Sequence, residues 1–306
     1  MSNINNVHGL GGEFKGEAMC VVMTQYEARS AESWEDVNYN VDLMCDWIDR
    51  AVTGYPNCDM VVTCECGFQG FGKNWKKLLL NINGPEIKRV RDKCRDYGIW
   101  GVFCPVLDEV DGKYACNCAI LVNDKGEIVH NYVKWNPWTP TEATYPGWEL
   151  PVSEGPKGSK IATIVCYDGD FPEMWREAAL KGANVIIRPA HAMPPVEDAW
   201  DFTNRTAAYC NTCYVISTNA IGVDGAYTYF GKSIAVGPDG RVITQAPPMV
   251  PWMTKVDIFP SLVDFLREKC PVGNMLYSLK HRGAAHPQTF GEGLDMTASS
   301  IATPDK

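Results

Sequence analysis

The chain is 306 residues long, 45% hydrophobic and 21% charged, with 27 Gly and 20 Pro, a globular balance that excludes collagen-like, low-complexity and wholly disordered classes. Its 28 Lys and Arg against 37 Asp and Glu leave a net charge of −9 with no basic block, so nucleic acid and anionic membranes would be repelled. No run reaches the ~18 apolar residues of a membrane span, and the start, MSNINNVHGLGGEFKGEAMC, lacks the basic-then-apolar run of an export signal, so a cytoplasmic setting is expected.

In chain order, short β-branched runs alternate with longer helical periods. Residues 18–25 read as a strand, 34–53 as a helix closed by Gly54, and 59–65 as a second strand. A helix over 85–97 opens with Pro85 in its first turn and stops at Gly98. Strands follow at 99–106, 116–123 and 127–134, the last two joined by the turn Asn123-Asp124-Lys125-Gly126. Then come a strand at 161–166, a turn, a helix over 172–181 stopped by Gly182, a strand at 184–188, a helix over 197–213 and a strand at 214–219. A last hairpin spans 229–245 around Pro238-Asp239-Gly240. Because hairpins interrupt the strand–helix alternation, the sheets should be mixed: one large α/β domain with two sheets and helices outside. That domain is expected to fill 1–283, and the Gly-, Ala-, Ser- and Thr-rich tail over 284–306 either packs on a neighbouring subunit or stays loose.

Thirteen cysteines in a leaderless chain read as reduced thiols. The pairs Cys64/Cys66 and Cys116/Cys118 would each share one face of a strand, and neither has a C-x-x-C partner or a nearby His. Core filling by small apolar side chains explains them better than a metal, so no metal or other cofactor is expected.

Ligands of α/β sheets sit beyond the carboxyl ends of strands, and three predicted strands end there in a functional side chain. VVTC runs into Glu65, HNYV into Lys134 and a Trp- and Pro-dense loop, and ATIV into Cys166 followed by a turn with Gly169 and a helix start at Pro172. Cys166 would lie near the positive end of that helix, which favours thiolate, with turn N–H groups open to an oxyanion. A strand–turn–helix carrying a nucleophile suits acyl transfer. On these residues alone, Cys166 competes with twelve other cysteines, and Glu65 or Lys134 by itself reads more readily as a solvated strand-end charge than as a catalytic group. Other chemistries lack support: His8 and His286 lie near the termini, and neither a G-x-S-x-G nor a phosphate-binding glycine loop follows a strand.

Together the three segments resemble the nitrilase superfamily of carbon–nitrogen hydrolases, specifically its aliphatic amidase and formamidase branch. The family's Glu, Lys and Cys correspond to Glu65, Lys134 and Cys166; the loop 135–147 closing on Tyr145-Pro146-Gly147, the segment CYDGDFPEMWREAALKGANVIIR (166–188), and FTNRTAAYCN, TYFG and NMLYSLKHRG extend the likeness over 17–283. The resemblance implies a four-layer αββα sandwich and hydrolysis of short primary amides to acid and ammonia. Glu65 would be the general base, Cys166 the nucleophile, Lys134 and the Tyr167 N–H the oxyanion donors, and Glu142 a second carboxylate positioning the substrate nitrogen. Trp138 matches a pocket aromatic.

This chain departs from the branch where Cys64 and Cys66 flank the base and where His191-Ala192 replaces a Gly-Tyr pair. Losing that Tyr ring should widen the acyl pocket or admit a polar group, with His191 and Ala192 beside the ligand. The alternatives are a nitrile or N-carbamoyl-amide hydrolase on the same triad, although Tyr167-Asp168-Gly169 does not fit the nitrilase pattern, or a non-catalytic superfamily scaffold. By resemblance the chain is expected to form a homo-oligomer built from dimers.

Overall fold

The computed structural model describes residues 16–109, 114–224 and 227–269. In the first half, β1 (Met19–Gln25), β2 (Met60–Val62) and β3 (Trp100–Phe103) pair in parallel. The two helices between them, α1 (Trp34–Gly54) and α2 (Pro85–Tyr97), are the crossovers that parallel pairing requires. α1 starts where the Ser33 hydroxyl accepts from the Asp36 N–H, and it buries Val37, Val41, Met44 and Ile48, one face at helical spacing. β4 (Val106–Glu109), β5 (Tyr114–Val122) and β6 (Ile128–Val133) complete this side as an antiparallel set. The β5–β6 turn carries Gly126 at φ +75°, as the Asn-Asp-Lys-Gly signal requires.

The second half builds a second sheet from β7 (Val152–Glu154), β8 (Lys160–Thr163), β9 (Val185–Ala190) and β10 (Tyr214–Asn219), with β8, β9 and β10 parallel. α3 (Pro172–Leu180) and α4 (Glu197–Asn211) connect them. A small hairpin of β11 (Ile221–Asp224) and β12 (Tyr227–Phe230) stands apart, and β13 (Ile234–Val236) and β14 (Val242–Gln245) close the second sheet. β15 (Trp252–Ile258) returns to pair antiparallel with β1 in the first sheet, and α5 (Pro260–Lys269) follows.

The period-2 alternation of the strands divides the apolar residues into three layers. Met19, Val21 and Met23 of β1 meet Val185, Ile187 and Ile216 of the second sheet between the sheets. Cys20 and Val22 face the other way, onto α1 and α2, while Ile186 and Val215 face Trp175 of α3 and Ala208 of α4. The result is the four-layer αββα sandwich of two mixed sheets. Among the described residues no helix is long and apolar enough to cross a membrane.

Several predicted boundaries move. The strand at 99–106 is two strands, because Pro105 has no N–H to continue the ladder; β3 and β4 each pair with β5 on either side of it. The strands predicted at 59–65 and 161–166 stop at Val62 and Thr163, leaving Glu65 and Cys166 in turns, with Cys66 and Cys166 at φ +48° and +46°. The hairpin predicted over 229–245 is parts of two hairpins, with Gly240 at φ +76° in the second. β7, β15 and α5 went unpredicted; in β15, Lys255 and Asp257 are exposed between buried Val256 and Ile258, an edge-strand pattern short in apolar residues. The tail 284–306 and the segment 274–283 lie outside the described residues.

Candidate active site

Glu65 lies three residues past β2, Lys134 directly past β6, and Cys166 three residues past β8, so the site straddles the carboxyl ends of both sheets. The sheets are stitched together beneath it: the Thr218 hydroxyl donates to the Thr63 carbonyl at 2.7 Å, and the Ser233 hydroxyl to Gln25 Oε1 at 2.9 Å.

The charged groups form one buried set. Lys134 Nζ donates to Glu65 Oε1 at 2.9 Å and to Glu142 Oε2 at 2.6 Å, all three side chains being 1% exposed. Asn117 Nδ2 donates to the same two residues, at 2.7 Å to Glu65 Oε1 and 2.8 Å to Glu142 Oε1. The His191 backbone N–H reaches Glu65 Oε2 at 2.8 Å, and the Trp138 N–H reaches Glu142 Oε2 at 2.9 Å. Burial opposes the Lys134 ammonium, but Glu65 and Glu142 outweigh it and hold the amine protonated, well above the ordinary lysine range. Burial likewise opposes ionised Glu65, and Lys134 with the Asn117 donor keeps it below the ordinary carboxylate range. Breaking such a buried pair leaves an uncompensated charge, which costs about 3–5 kcal/mol.

Cys166 opens a tight 3-10 turn over Cys166–Asp170, half-buried. Arg188 Nε holds its carbonyl at 2.7 Å, and Arg188 Nη2 pairs with Asp170 at 2.9 Å. Gly169 sits directly against that guanidinium, where a Cβ would lie 2.1 Å from Nε, so only glycine fits. Asp168 locks the turn from below, accepting from the Val165 N–H at 3.0 Å, the Tyr132 hydroxyl at 2.7 Å and the Asn136 N–H at 2.8 Å. Among the described residues nothing accepts from the Tyr167 N–H, whose ring packs edge-on to Phe171 at 5.2 Å.

The loop after Lys134 folds back over the site. Gly147 donates to the Lys134 carbonyl at 2.9 Å in a place where a Cβ would meet the Val133 carbonyl at 2.2 Å, and Tyr145 donates to Ala115 at 2.8 Å. These contacts carry Trp138 and Glu142 inward. Glu65, Lys134, Glu142, Cys166 and His191 all line one cavity of about 30 Å³. Cys166, Trp138 and His191 also border an outer hollow of about 380 Å³, where Tyr167 and Ala192 lie. A larger hollow of about 570 Å³ between α3 and α4 contains none of Glu65, Lys134 and Cys166.

The structure therefore brings together all eight residues singled out from the sequence, with two corrections. The thiolate expectation for Cys166 reverses: burial first, then the Glu65 carboxylate, push its thiol up against the weaker pull of Lys134 and Arg188, so the resting sulfur is protonated. Helix α3 begins only at Pro172, beyond the turn, and does not offset this. The pair Cys64/Cys66 is not in a strand and shares no face, Cys64 packing on Tyr229 and Cys66 on Trp75 and Val106. Cys116/Cys118, on β5, do share one face.

Sequence reasoning missed Asn117, Phe71 and Tyr227, and passed over Tyr229 within TYFG. Asn117 had a signal: it stands between Cys116 and Cys118 on β5, so its side chain must project from the face opposite two buried thiols. Phe71 and Tyr227 come from a turn and an isolated hairpin with no periodicity to read.

A family model described as carbon-nitrogen hydrolase matches residues 21–267. The chain is similar to a formamidase of Photorhabdus laumondii, 38% identical over 273 residues that cover 87% of this chain and 80% of the relative. It is also similar to a solved variant of the amidase from Nesterenkonia sp. AN1 with the acetamide moiety of fluoroacetamide added covalently at its active-site cysteine; identity is 25%, TM-score 0.72, and coverage 85% of this chain and 97% of that one. Nit3 of Saccharomyces cerevisiae, a member of branch 10 of the nitrilase superfamily, shares the fold at a TM-score of 0.75 and 22% identity, over 83% of this chain and 95% of that one.

Proposed function

The chain belongs to the carbon–nitrogen hydrolase family, and from that premise we propose that it is a thiol amidohydrolase cleaving short primary amides to carboxylic acid and ammonia. The observation that carries the reading is an ammonium wedged between two buried carboxyls in the same small cavity as the Cys166 side chain. Because the resting sulfur keeps its proton, it needs a base, and Glu65 is the ionised carboxylate beside it.

In this reading Glu65 takes the Cys166 proton as sulfur attacks the amide carbonyl. The negative charge moves to the former carbonyl oxygen, which the Lys134 ammonium and the Tyr167 N–H stabilise. Glu142, fixed by Asn117 and the Trp138 N–H, orients the substrate nitrogen. Collapse of the tetrahedral intermediate breaks the C–N bond; the nitrogen takes the proton from Glu65 and leaves as ammonia. Water then enters, gives its proton to Glu65 and attacks the thioester, and the acid departs as the proton returns to sulfur. The narrowness of this inner chamber, walled by Phe71, Trp138, Tyr227 and Tyr229, supports a short acyl group.

An ammonia-release screen over formamide, acetamide, propionamide, a nitrile and an N-carbamoyl compound tests this. Turnover of the short amides, lost in Cys166→Ala and Glu65→Gln, is expected. Turnover of the nitrile or carbamoyl compound alone would move the assignment to those substrates, and no turnover at all would leave a non-catalytic scaffold. We infer further, from the resemblance, a homo-oligomer built from dimers acting in the cytoplasm; a monomer in light scattering at micromolar concentration would refute the assembly.

A further inference from the structure

The charged groups of the chamber are committed to one another, but its imidazole is not. His191 is 6% exposed, and neither ring nitrogen has a hydrogen-bond partner among the described residues, with Nδ1 fully enclosed. The ring is held in place: Tyr229 packs against it at 4.4 Å and Phe71 at 6.3 Å, both at 65°, while the His191 backbone is tied to Glu65. It borders both the inner chamber and the outer hollow, together with Cys166. A buried polar ring of fixed orientation with no protein partner is costly unless something in the chamber pairs with it.

Resting on the amidase reading, we propose that His191 selects amides whose acyl group bears a hydroxyl on the carbon next to the carbonyl, glycolamide being the simplest. A hydroxyl both donates and accepts, so it pairs with the imidazole in either tautomer. An alkyl group in the same place would displace water and leave the ring unpaired. An acidic acyl group is disfavoured twice over: Glu65 and Glu142 line the same chamber, and burial, the largest influence on the ring, keeps His191 neutral although Glu65 and Asp224 pull the other way. The inner chamber is narrow, which favours a small substituent beside the ring. A site that hydrogen-bonds a substrate hydroxyl discriminates against the analogue lacking it far more strongly than an apolar pocket discriminates by size.

The test compares kcat/KM for ammonia release from glycolamide and propionamide, which have equal numbers of heavy atoms, with formamide as a third substrate. Wild-type enzyme should favour glycolamide over propionamide by about tenfold or more. His191→Leu should collapse that ratio by about tenfold, and His191→Gln, whose amide can still pair with a hydroxyl, should restore part of it. A ratio unchanged in His191→Leu, or a wild-type preference for propionamide, overturns the inference while leaving the amidase reading intact. Failure of all three amides to release ammonia would remove that reading, and this inference with it.

Discussion

Glu65 and Glu142 share both of their buried side-chain donors: the Asn117 amide reaches them at 2.7 and 2.8 Å, and the Lys134 ammonium at 2.9 and 2.6 Å. One cation and one amide hold two almost fully buried carboxyls side by side. The orientation of either carboxyl therefore depends on groups that also serve the other, which ties the base to the residue assigned to the substrate nitrogen.

Asn117→Leu keeps the volume but leaves both carboxyls a donor short. Hydrogen bonds to charged groups contribute about 1.5–3 kcal/mol, so kcat/KM for ammonia release should fall roughly 10- to 100-fold with the circular dichroism unchanged. Activity within threefold of wild type would show that Lys134 alone suffices to hold the pair.

Lys134→Met and Cys166→Ala should both be inactive yet differ in stability. The first strands two buried carboxyls without their cation, at about 3–5 kcal/mol, which corresponds to a Tm lower by about 5–8 °C for a chain of this size. The second removes only the sulfur from a half-buried site and should leave Tm within about 3 °C of wild type. Thermal melts of the two variants at neutral pH decide the matter, and equal Tm values would argue against a strongly coupled charge set.

His130 of β6 joins the two sheets through Ser153 Oγ at 2.9 Å and Thr163 Oγ1 at 3.1 Å, and burial pulls its pKa from 6.5 down to about 4. A histidine depressed in the folded state contributes stability that is full above its unfolded pKa and is lost as the pH falls toward the folded value. Acidification from about pH 6.5 to pH 4 should therefore remove about 3 kcal/mol through this residue alone. Carboxylates titrate in the same window, so the difference between wild type and His130→Gln isolates the histidine. Denaturant melts across that range should show a shallower loss in the variant, and parallel losses would contradict the assignment.

Gly169→Ala drives a methyl group into the Arg188 guanidinium, which must move and release the Cys166 carbonyl. Overpacking here should cost about 1–3 kcal/mol, while kcat should fall at least about tenfold because the nucleophile turn loses its anchor. A variant with normal kcat would mean that Asp168 positions the turn without help from Arg188.

Legibility from the sequence followed the range of the interactions involved. α2 was readable to its ends because Pro85 and Gly98 act within one turn of the backbone, and Gly98 does adopt φ +64°. β15 was not, because a strand with exposed Lys255 and Asp257 becomes a strand only by pairing with β1, more than two hundred residues earlier. The catalytic candidates fell between these cases. Glu65, Lys134 and Cys166 could be found as polar side chains at the ends of apolar runs, whereas Asn117 was hidden among small residues in a strand interior.

By itself the sequence determined the alternation that stacks two sheets between helices, the places of the three candidate residues just after apolar runs, and the family, since each depends on residue type and local spacing. Only the tertiary structure decided that one ammonium and one amide serve two carboxyls, that the cysteine rests as a thiol, and that the His191 ring faces the chamber without a partner. Those properties depend on desolvation and on charges brought within hydrogen-bonding distance from different strands, and chain folding alone creates both.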